Sequence, residues 1–406
     1  MTIQNVVILG AGQAGGQAAL ALRKLGFDGP VTVVGEENYF PYERPPLSKA
    51  FISQGGLAIP ELVTPDTYEK QNIALLLKRH GEIRLPERQI VFADGSSLPF
   101  DKLIITTGSR VRKLGTTGAD LAGIHYLRGV DDARSITSHF STCKQVLVVG
   151  GGWIGLEVAA TARTLGLQVT VVETAPQLCA RTLDPISGKF LENLHGGKGV
   201  DVRLGASVTA FEGLGKVERV VLNDGSVVSA DCIVIGVGVL PNQEVAEKAG
   251  IAVSNGILVD EYCRTSVEGI YAAGDVTSHP NKFFGGRLRL ETWENAQNQG
   301  IFAATSLLGQ AKGPYSEVPW VWSDQYEFNI QLMGFMPSKN DVSVMRGDPA
   351  SGSFVVAYLR NGRLWGAVAF NQSRELKILR KIMQAEKEVS LEQLNAPAAQ
   401  LMALTK

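Results

Sequence analysis

The chain has 406 residues, 45 of them glycine, with 45% apolar residues and a formal net charge of −1. That length predicts two or three domains rather than one core, and the glycine-rich apolar composition fits an α/β nucleotide binder. The near-zero charge gives no reason to expect nucleic acid or an anionic membrane as partner, and no apolar run is long enough to span a bilayer. The chain enters a strand pattern almost at once, without a basic segment followed by an apolar one, so a cytoplasmic location is expected. Cys143, Cys179, Cys232 and Cys263 are isolated in sequence. They read as small buried hydrophobes in a reducing compartment, and no metal site is expected.

The first element is Val6-Val-Ile-Leu-Gly10-Ala-Gly12-Gln-Ala-Gly15, an apolar strand feeding a G-x-G-x-x-G turn and a small-residue helix. The first glycine permits the tight turn, the second lets backbone N–H groups approach a pyrophosphate, and the third lets helix and strand pack closely. Val31 to Val34 follow as a second strand, then Gly35, Glu36 and Glu37. An acid ending this strand accepts ribose hydroxyls, and here it has slipped by one position to Glu36, which leaves a solvated loop acid as the other reading. The next loop, Pro41-Tyr-Glu-Arg44-Pro45-Pro46-Leu-Ser48-Lys49, is stiffened by proline. Ser48 is expected to cap a short helix carrying Lys49. Such a loop aims Arg44 and Lys49 at an anionic group, or leaves them as solvated charges. Gln89 to Leu98 read as a hairpin around Asp94-Gly95, and Lys102 to Thr107 as a buried strand ending at Gly108.

The pattern then repeats. Val146-Leu-Val-Val-Gly150-Gly-Gly152-Trp-Ile-Gly155 is a second fingerprint, and Val169-Thr-Val-Val172 ends at Glu173. No arginine occupies the next two positions, which favours NADH over its 2′-phosphorylated analogue, although Arg181 remains within reach. A hairpin around Asp224-Gly225 and a buried strand from Cys232 to Ile235, leading to Gly238, complete the copy. Thr265 to Asp275 read as a strand returning to the first sheet with an acid at its end. From about Gly313 the chain turns aromatic and β-rich, with an Asn361-Gly362 hairpin and a helix from Arg374 to Ala385. The expected fold is therefore α/β, with two doubly wound Rossmann-like nucleotide-binding domains and a small α+β C-terminal domain. The boundaries are 1–109 with 238–312, then 110–237, then 313–406. Two such turns imply two bound dinucleotides, one cofactor handing electrons to another.

Several further segments accompany the fingerprints in fixed order: Arg44-Pro-Pro-Leu-Ser-Lys49, Thr106-Thr-Gly108, Glu157, Tyr271-Ala-Ala-Gly274-Asp275, Glu291-Thr-Trp293-Glu-Asn-Ala-Gln, and Pro319-Trp320-Val-Trp322-Ser-Asp324-Gln. Together they resemble the FAD-dependent NADH:ferredoxin reductases of bacterial oxygenase systems, of glutathione-reductase-like fold, and the similarity spans essentially the whole chain. The resemblance implies FAD contacts at Gly10, Gly12, Ala14, Gly15, Glu36, Arg44, Lys49, Thr107, Gly108, Asp275, Glu291, Trp293 and Trp320. It implies NAD contacts at Gly150, Gly152, Ile154, Gly155, Glu157, Glu173, Arg181 and Gly238. Lys49, beside the flavin and able to pair with Glu157, and Glu157, able to orient the nicotinamide carboxamide, are the residues it implies in catalysis. Trp293, Trp320 and Trp322 read either as flavin-edge residues or as core packing.

The implied reaction carries a hydride from NADH to FAD and then electrons, one at a time, to a [2Fe–2S] ferredoxin serving a Rieske dioxygenase or a haem-thiolate monooxygenase. It needs no side-chain base, and none of His80, His125, His139, His195 and His279 lies in a motif. Disulfide reductases need a cysteine pair on the first fingerprint helix, and thiol-dependent NADH oxidases a cysteine within residues 38–50; neither is present. A reductase of rubredoxin, a quinone or another small acceptor remains open, as does a redox-controlled interaction flavoprotein like the apoptosis-inducing factors. Arg374, Lys377, Arg380 and Lys381, at helical spacing, with Arg287 and Arg289, read as a docking patch for an acidic ferredoxin or as solvated charge.

Overall fold

The computed structural model describes residues 3–405. The chain forms two compact units, one of Met1–Glu43, Pro60–Arg110 and Val239–Pro319, the other of Arg44–Ile59, Val111–Gly238 and Trp320–Lys406.

The first unit is built on a five-stranded parallel sheet. Its order across the sheet is Ile270–Ala272, Lys102–Ile105, Val6–Leu9, Val31–Val34, Ile73–Leu76. The strands Val6–Leu9 and Ile270–Ala272 are buried throughout, as continuous apolar runs in a doubly covered parallel sheet must be. The returning strand pairs Tyr271 with Ile104, as the late sequence pattern predicts. Helix Gln13–Lys24 buries its alanines and glycines against helix Trp293–Leu307. Small residues are needed here, because a Cβ at Gly300 would lie 2.4 Å from the Ala14 carbonyl oxygen. Strands Gly81–Arg84, Gln89–Phe92 and Ser97–Pro99 form a small antiparallel sheet. Its Asp94-Gly95 turn has the Asp94 carboxylate accepting from the Ser96 N–H.

The second unit repeats the parallel sheet in the order Asp201–Leu204, Gln168–Glu173, Gln145–Val149, Cys232–Ile235, Ile124–Tyr126. A five-stranded antiparallel sheet (Trp320–Gln325, Phe328–Gly334, Arg363–Phe370, Ser353–Arg360, Val342–Asp348) and helix Ser373–Gln384 complete it. Asn361 and Gly362 both take positive φ, +52° and +74°, the conformation a two-residue hairpin turn demands. One apolar core joins the two sheets of this unit. Phe190 of helix Pro185–Gly197 meets Phe328, Phe354 and Phe370 edge-on at 4.6–5.4 Å. Asp184 caps that helix by accepting from the N–H groups of Ile186 and Ser187, and it also accepts from the Tyr358 hydroxyl at 2.6 Å. Among the described residues no helix is long and apolar enough to cross a membrane.

Candidate functional site

The two G-x-G-x-x-G turns have matching geometry, and each lies where the strand order of its sheet reverses. At Gly10 the backbone has φ +123°, and a Cβ would fall 2.2 Å from the Thr106 carbonyl oxygen. A Cβ at Gly15 would fall 1.9 Å from the Gly10 carbonyl oxygen, whereas one at Gly12 would meet no protein atom within 4 Å. In the second unit the corresponding approaches are 2.5 Å from Gly150 to the Gly236 oxygen and 2.1 Å from Gly155 to the Gly150 oxygen, with Gly152 again unobstructed. The outer glycines are thus demanded by the fold, while the middle one leaves the turn's N–H groups open to an approaching anion. Helices Gln13–Lys24 and Trp153–Thr164 start from Gly12 and Gly152 with no side-chain cap on either. Both turns fit a pyrophosphate at a helix N-terminus.

Around the first turn the unit gathers residues from distant segments. Ala14 meets Gly274, where an added Cβ would lie 3.0 Å from the Ala14 side chain. Asp275 follows Gly274 and accepts from the Ser109 hydroxyl at 3.0 Å. Thr107 and Gly108 are held by Asn242, which donates to the Thr107 carbonyl at 2.9 Å through its amide and to the Gly108 carbonyl at 2.9 Å through its backbone N–H. Trp293 opens helix Trp293–Leu307, whose N-cap Thr292 accepts from the Asn295 N–H. Glu291 is exposed and ion-paired with Arg289 at 2.5 Å. Glu36 is exposed after the second strand, while Glu37 takes the Tyr42 hydroxyl at 2.5 Å.

Around the second turn Glu173 accepts from the Gly151 N–H at 2.6 Å and the Ala175 N–H at 2.7 Å, which fixes its carboxylate at the fingerprint. Arg181 lies against Gly238, its guanidinium 3.7 Å from where a Cβ would be. Ile154 is exposed in the first turn of the helix.

Arg44, Lys49, Glu157 and Trp320 all belong to the second unit. Glu157 is 3% exposed. It pairs with Lys49 Nζ at 3.0 Å and accepts from the hydroxyls of Ser48 at 2.5 Å and Ser323 at 2.6 Å. Burial pushes the Glu157 carboxyl above the usual range, and the Lys49 charge works against that. Lys49 also faces the Trp322 ring at 5.7 Å, and Trp322 stacks on Trp320 with centroids 5.1 Å apart. Arg44 donates to the Arg128 carbonyl at 2.7 Å. Ser48 departs from its expected role: it ends the short helix Pro45–Ser48 and gives its hydroxyl to Glu157 rather than capping Lys49's helix. The buried carboxylate is the stronger acceptor. Ser323 and Asn242 carry no local sequence signal for these contacts, although Ser323 follows Trp322 in the aromatic C-terminal segment. Of the expected patch, Arg287 is engaged with the carbonyls of Val259 and Ser278, and Arg289 with Glu291. Arg374, Lys377 and Lys381 are exposed on one face of helix Ser373–Gln384, with Arg380 half-buried.

Residues 4–300 match the family model described as pyridine nucleotide-disulphide oxidoreductase, and residues 320–405 match the reductase C-terminal model. The chain belongs to the pyridine nucleotide-disulphide oxidoreductase family. Within that family it is 40% identical to the ferredoxin–NAD(+) reductase component of the anthranilate 1,2-dioxygenase system of Burkholderia cepacia, covering 99% of both chains. It is 39% identical to rhodocoxin reductase of Rhodococcus erythropolis, over 96% of this chain and 91% of that protein. The crystal structure of the covalent putidaredoxin reductase–putidaredoxin complex matches with a TM-score of 0.94 at 35% identity, covering 99% of each chain. The α/β architecture with two nucleotide-binding folds and a C-terminal α+β part is the family's own.

Proposed function

We propose that this protein is an NADH:ferredoxin oxidoreductase serving an oxygenase system, in which the terminal oxygenase is a Rieske dioxygenase or a haem-thiolate monooxygenase. The observation that carries the reading is the duplicated nucleotide turn, in a chain whose full-length relatives are named as ferredoxin reductases. FAD, when bound, supplies an acceptor for the hydride of NADH and a donor of single electrons to a [2Fe–2S] ferredoxin.

The chain's own residues do the rest. Gly10, whose N–H is held by the Val34 carbonyl at 2.8 Å, makes the turn, and Gly12, Ala14 and Gly15 present backbone N–H groups to the FAD pyrophosphate at a helix N-terminus. Thr107, Gly108 and Asp275 complete that side of the site, tied down by Asn242 and Ser109. Glu36, Glu291 and Trp293 are proposed as outer contacts of the same cofactor. Gly150, Gly152, Ile154, Gly155 and Gly238 form the NADH cradle. Glu173, pre-oriented by two backbone N–H groups, accepts the ribose hydroxyls and repels a 2′-phosphate; Arg181 lines the same crevice. Lys49 is a fixed cation, and Glu157 is the residue that positions it. The roles of Arg44, Lys49 and Trp320 toward FAD rest on the family pattern. The division into an FAD-binding domain (1–109 and 238–312), an NADH-binding domain (110–237) and a C-terminal domain (313–406) is proposed as the functional one. A cytoplasmic location goes with it, since all four cysteines are free thiols.

The test is NADH-driven cytochrome c reduction with and without added [2Fe–2S] ferredoxin. Strong dependence on the ferredoxin is expected. Equal rates without it, or transfer only to rubredoxin or a quinone, would replace this reading with another acceptor.

A further inference from the structure

Three residues that no nucleotide-binding role uses meet at the edge of the second unit's parallel sheet. His125 sits on the edge strand Ile124–Tyr126, Cys232 starts the neighbouring strand Cys232–Ile235, and His139 lies in the last turn of helix Val130–Phe140. His125 pairs with Val234, so Cys232, two residues earlier, points to the same face of the sheet. That face is covered by the helix through Ile136 and Phe140, which brings His139 over the thiol. One ligand atom from each of His125, His139 and Cys232 lies within 4.8 Å of the others. The two imidazoles touch, Nε2 of His125 to Nδ1 of His139 at 2.9 Å. Cys143, just beyond the helix, is tied back by its own N–H to the His139 carbonyl at 2.9 Å. Gly123 makes room for the group, because a Cβ there would press on His139 Cε1 at 3.2 Å.

We propose that His125, His139 and Cys232, with a water as fourth donor, form a binding site for one borderline-soft divalent cation of the zinc type. Two imidazole nitrogens and one sulfur, with a water in the fourth position, are a donor set of a tetrahedral zinc centre, and no carboxylate belongs to the triad to favour a hard ion. Nitrogens in a tetrahedral zinc shell stand about 3.3 Å apart, so the imidazole pair must open by a few tenths of an ångström and turn both ring lone pairs toward the ion. Binding replaces the imidazole hydrogen bond with two metal–nitrogen bonds, and the Cys232 thiol releases its proton to solvent as it coordinates. Cys232 is fully buried, but both histidines are partly exposed, which leaves a way in. The Ser135 hydroxyl, 3.3 Å from His125 Nδ1, supplies the outer contact that orients a metal-bound imidazole. An ion here would tie the edge strand to the helix that covers it.

The test uses the full-length protein with its flavin, stripped with chelator and titrated with Zn2+ alone. The expected result is one zinc per chain with an X-ray absorption spectrum showing sulfur at about 2.3 Å and nitrogen at about 2.0 Å. The partly exposed pair His125→Ala/His139→Ala should weaken binding roughly tenfold or more, and Cys232→Ser should remove sulfur from the shell, with His80→Ala unchanged. Retained flavin absorbance reports that each variant is folded. No zinc retained by the wild type, a shell of nitrogen and oxygen only, or equal affinity in the double histidine variant would each overturn the proposal. None of these outcomes depends on ferredoxin reduction, so the site and the reductase function stand or fall separately.

Discussion

Glu157 has both carboxylate oxygens occupied, by Ser48 and Lys49 from one loop and by Ser323 from the C-terminal sheet. Glu157→Gln keeps the shape but leaves the largely buried Lys49 ammonium with only Asp324, at 3.9 Å, as countercharge, and should cost about 2 kcal/mol. Chemical denaturation checks this, and NADH-dependent ferredoxin turnover should fall about tenfold in the same variant. Gly10→Ala is expected to be worse: strain at φ +123° and a contact at 2.2 Å should cost about 3 kcal/mol or more, and purified protein should carry little flavin. His279 gives a pH dependence. Its ring nitrogens are buried without protein partners, and burial, with help from Arg287, holds its pKa at about 4. The unfolded chain protonates near its ordinary value of 6.5, so the neutral folded form is favoured above that pH. Up to about 3 kcal/mol is then lost as pH falls from 6.5 to 4. His279→Leu should flatten this part of the stability profile. Lys49 and Glu157 were visible in the sequence because each sits in a recognisable motif. Ser323 acts from 166 residues away, and no local pattern reports that proximity.

Strands, turns and helices whose signals are local came through most clearly. Asn361-Gly362 and the two Asp-Gly turns declare themselves because only a few residues adopt their dihedral angles. The second fingerprint was equally clear, since Gly150 and Gly155 are fixed by backbone approaches that no other residue survives. What Ser48 does was hidden, because its choice between a helix end and Glu157 is decided by tertiary packing. The cysteines and histidines of the sheet edge were hidden for the same reason: His125 and Cys232 are 107 positions apart and meet only through strand order. Helix Ser373–Gln384 buries Leu376, Leu379, Ile382 and Met383 and shows Arg374, Lys377 and Lys381 to solvent. If that face docks an acidic ferredoxin, Lys377→Glu/Lys381→Glu should raise the KM for ferredoxin several-fold while ferricyanide reduction stays unchanged. Added salt should separate the two assays in the same way.

For the molecule as a whole, the repeat explains why one chain needs two nucleotides, and Glu173 predicts which one arrives as reductant. NADH should exceed NADPH in kcat/KM by tenfold or more, and Glu173→Ala should narrow the gap. The near-neutral net charge gives no reason to expect a nucleic-acid-bound state. The central claim concerns where the electrons go, and it is tested most directly under anaerobic conditions. Limiting NADH is mixed with this protein and an excess of oxidised [2Fe–2S] ferredoxin, and the reduced cluster is counted by electron paramagnetic resonance. The account predicts two reduced ferredoxins per NADH consumed, because each cluster takes one electron of the pair. NADH consumed while the ferredoxin stays oxidised would contradict it.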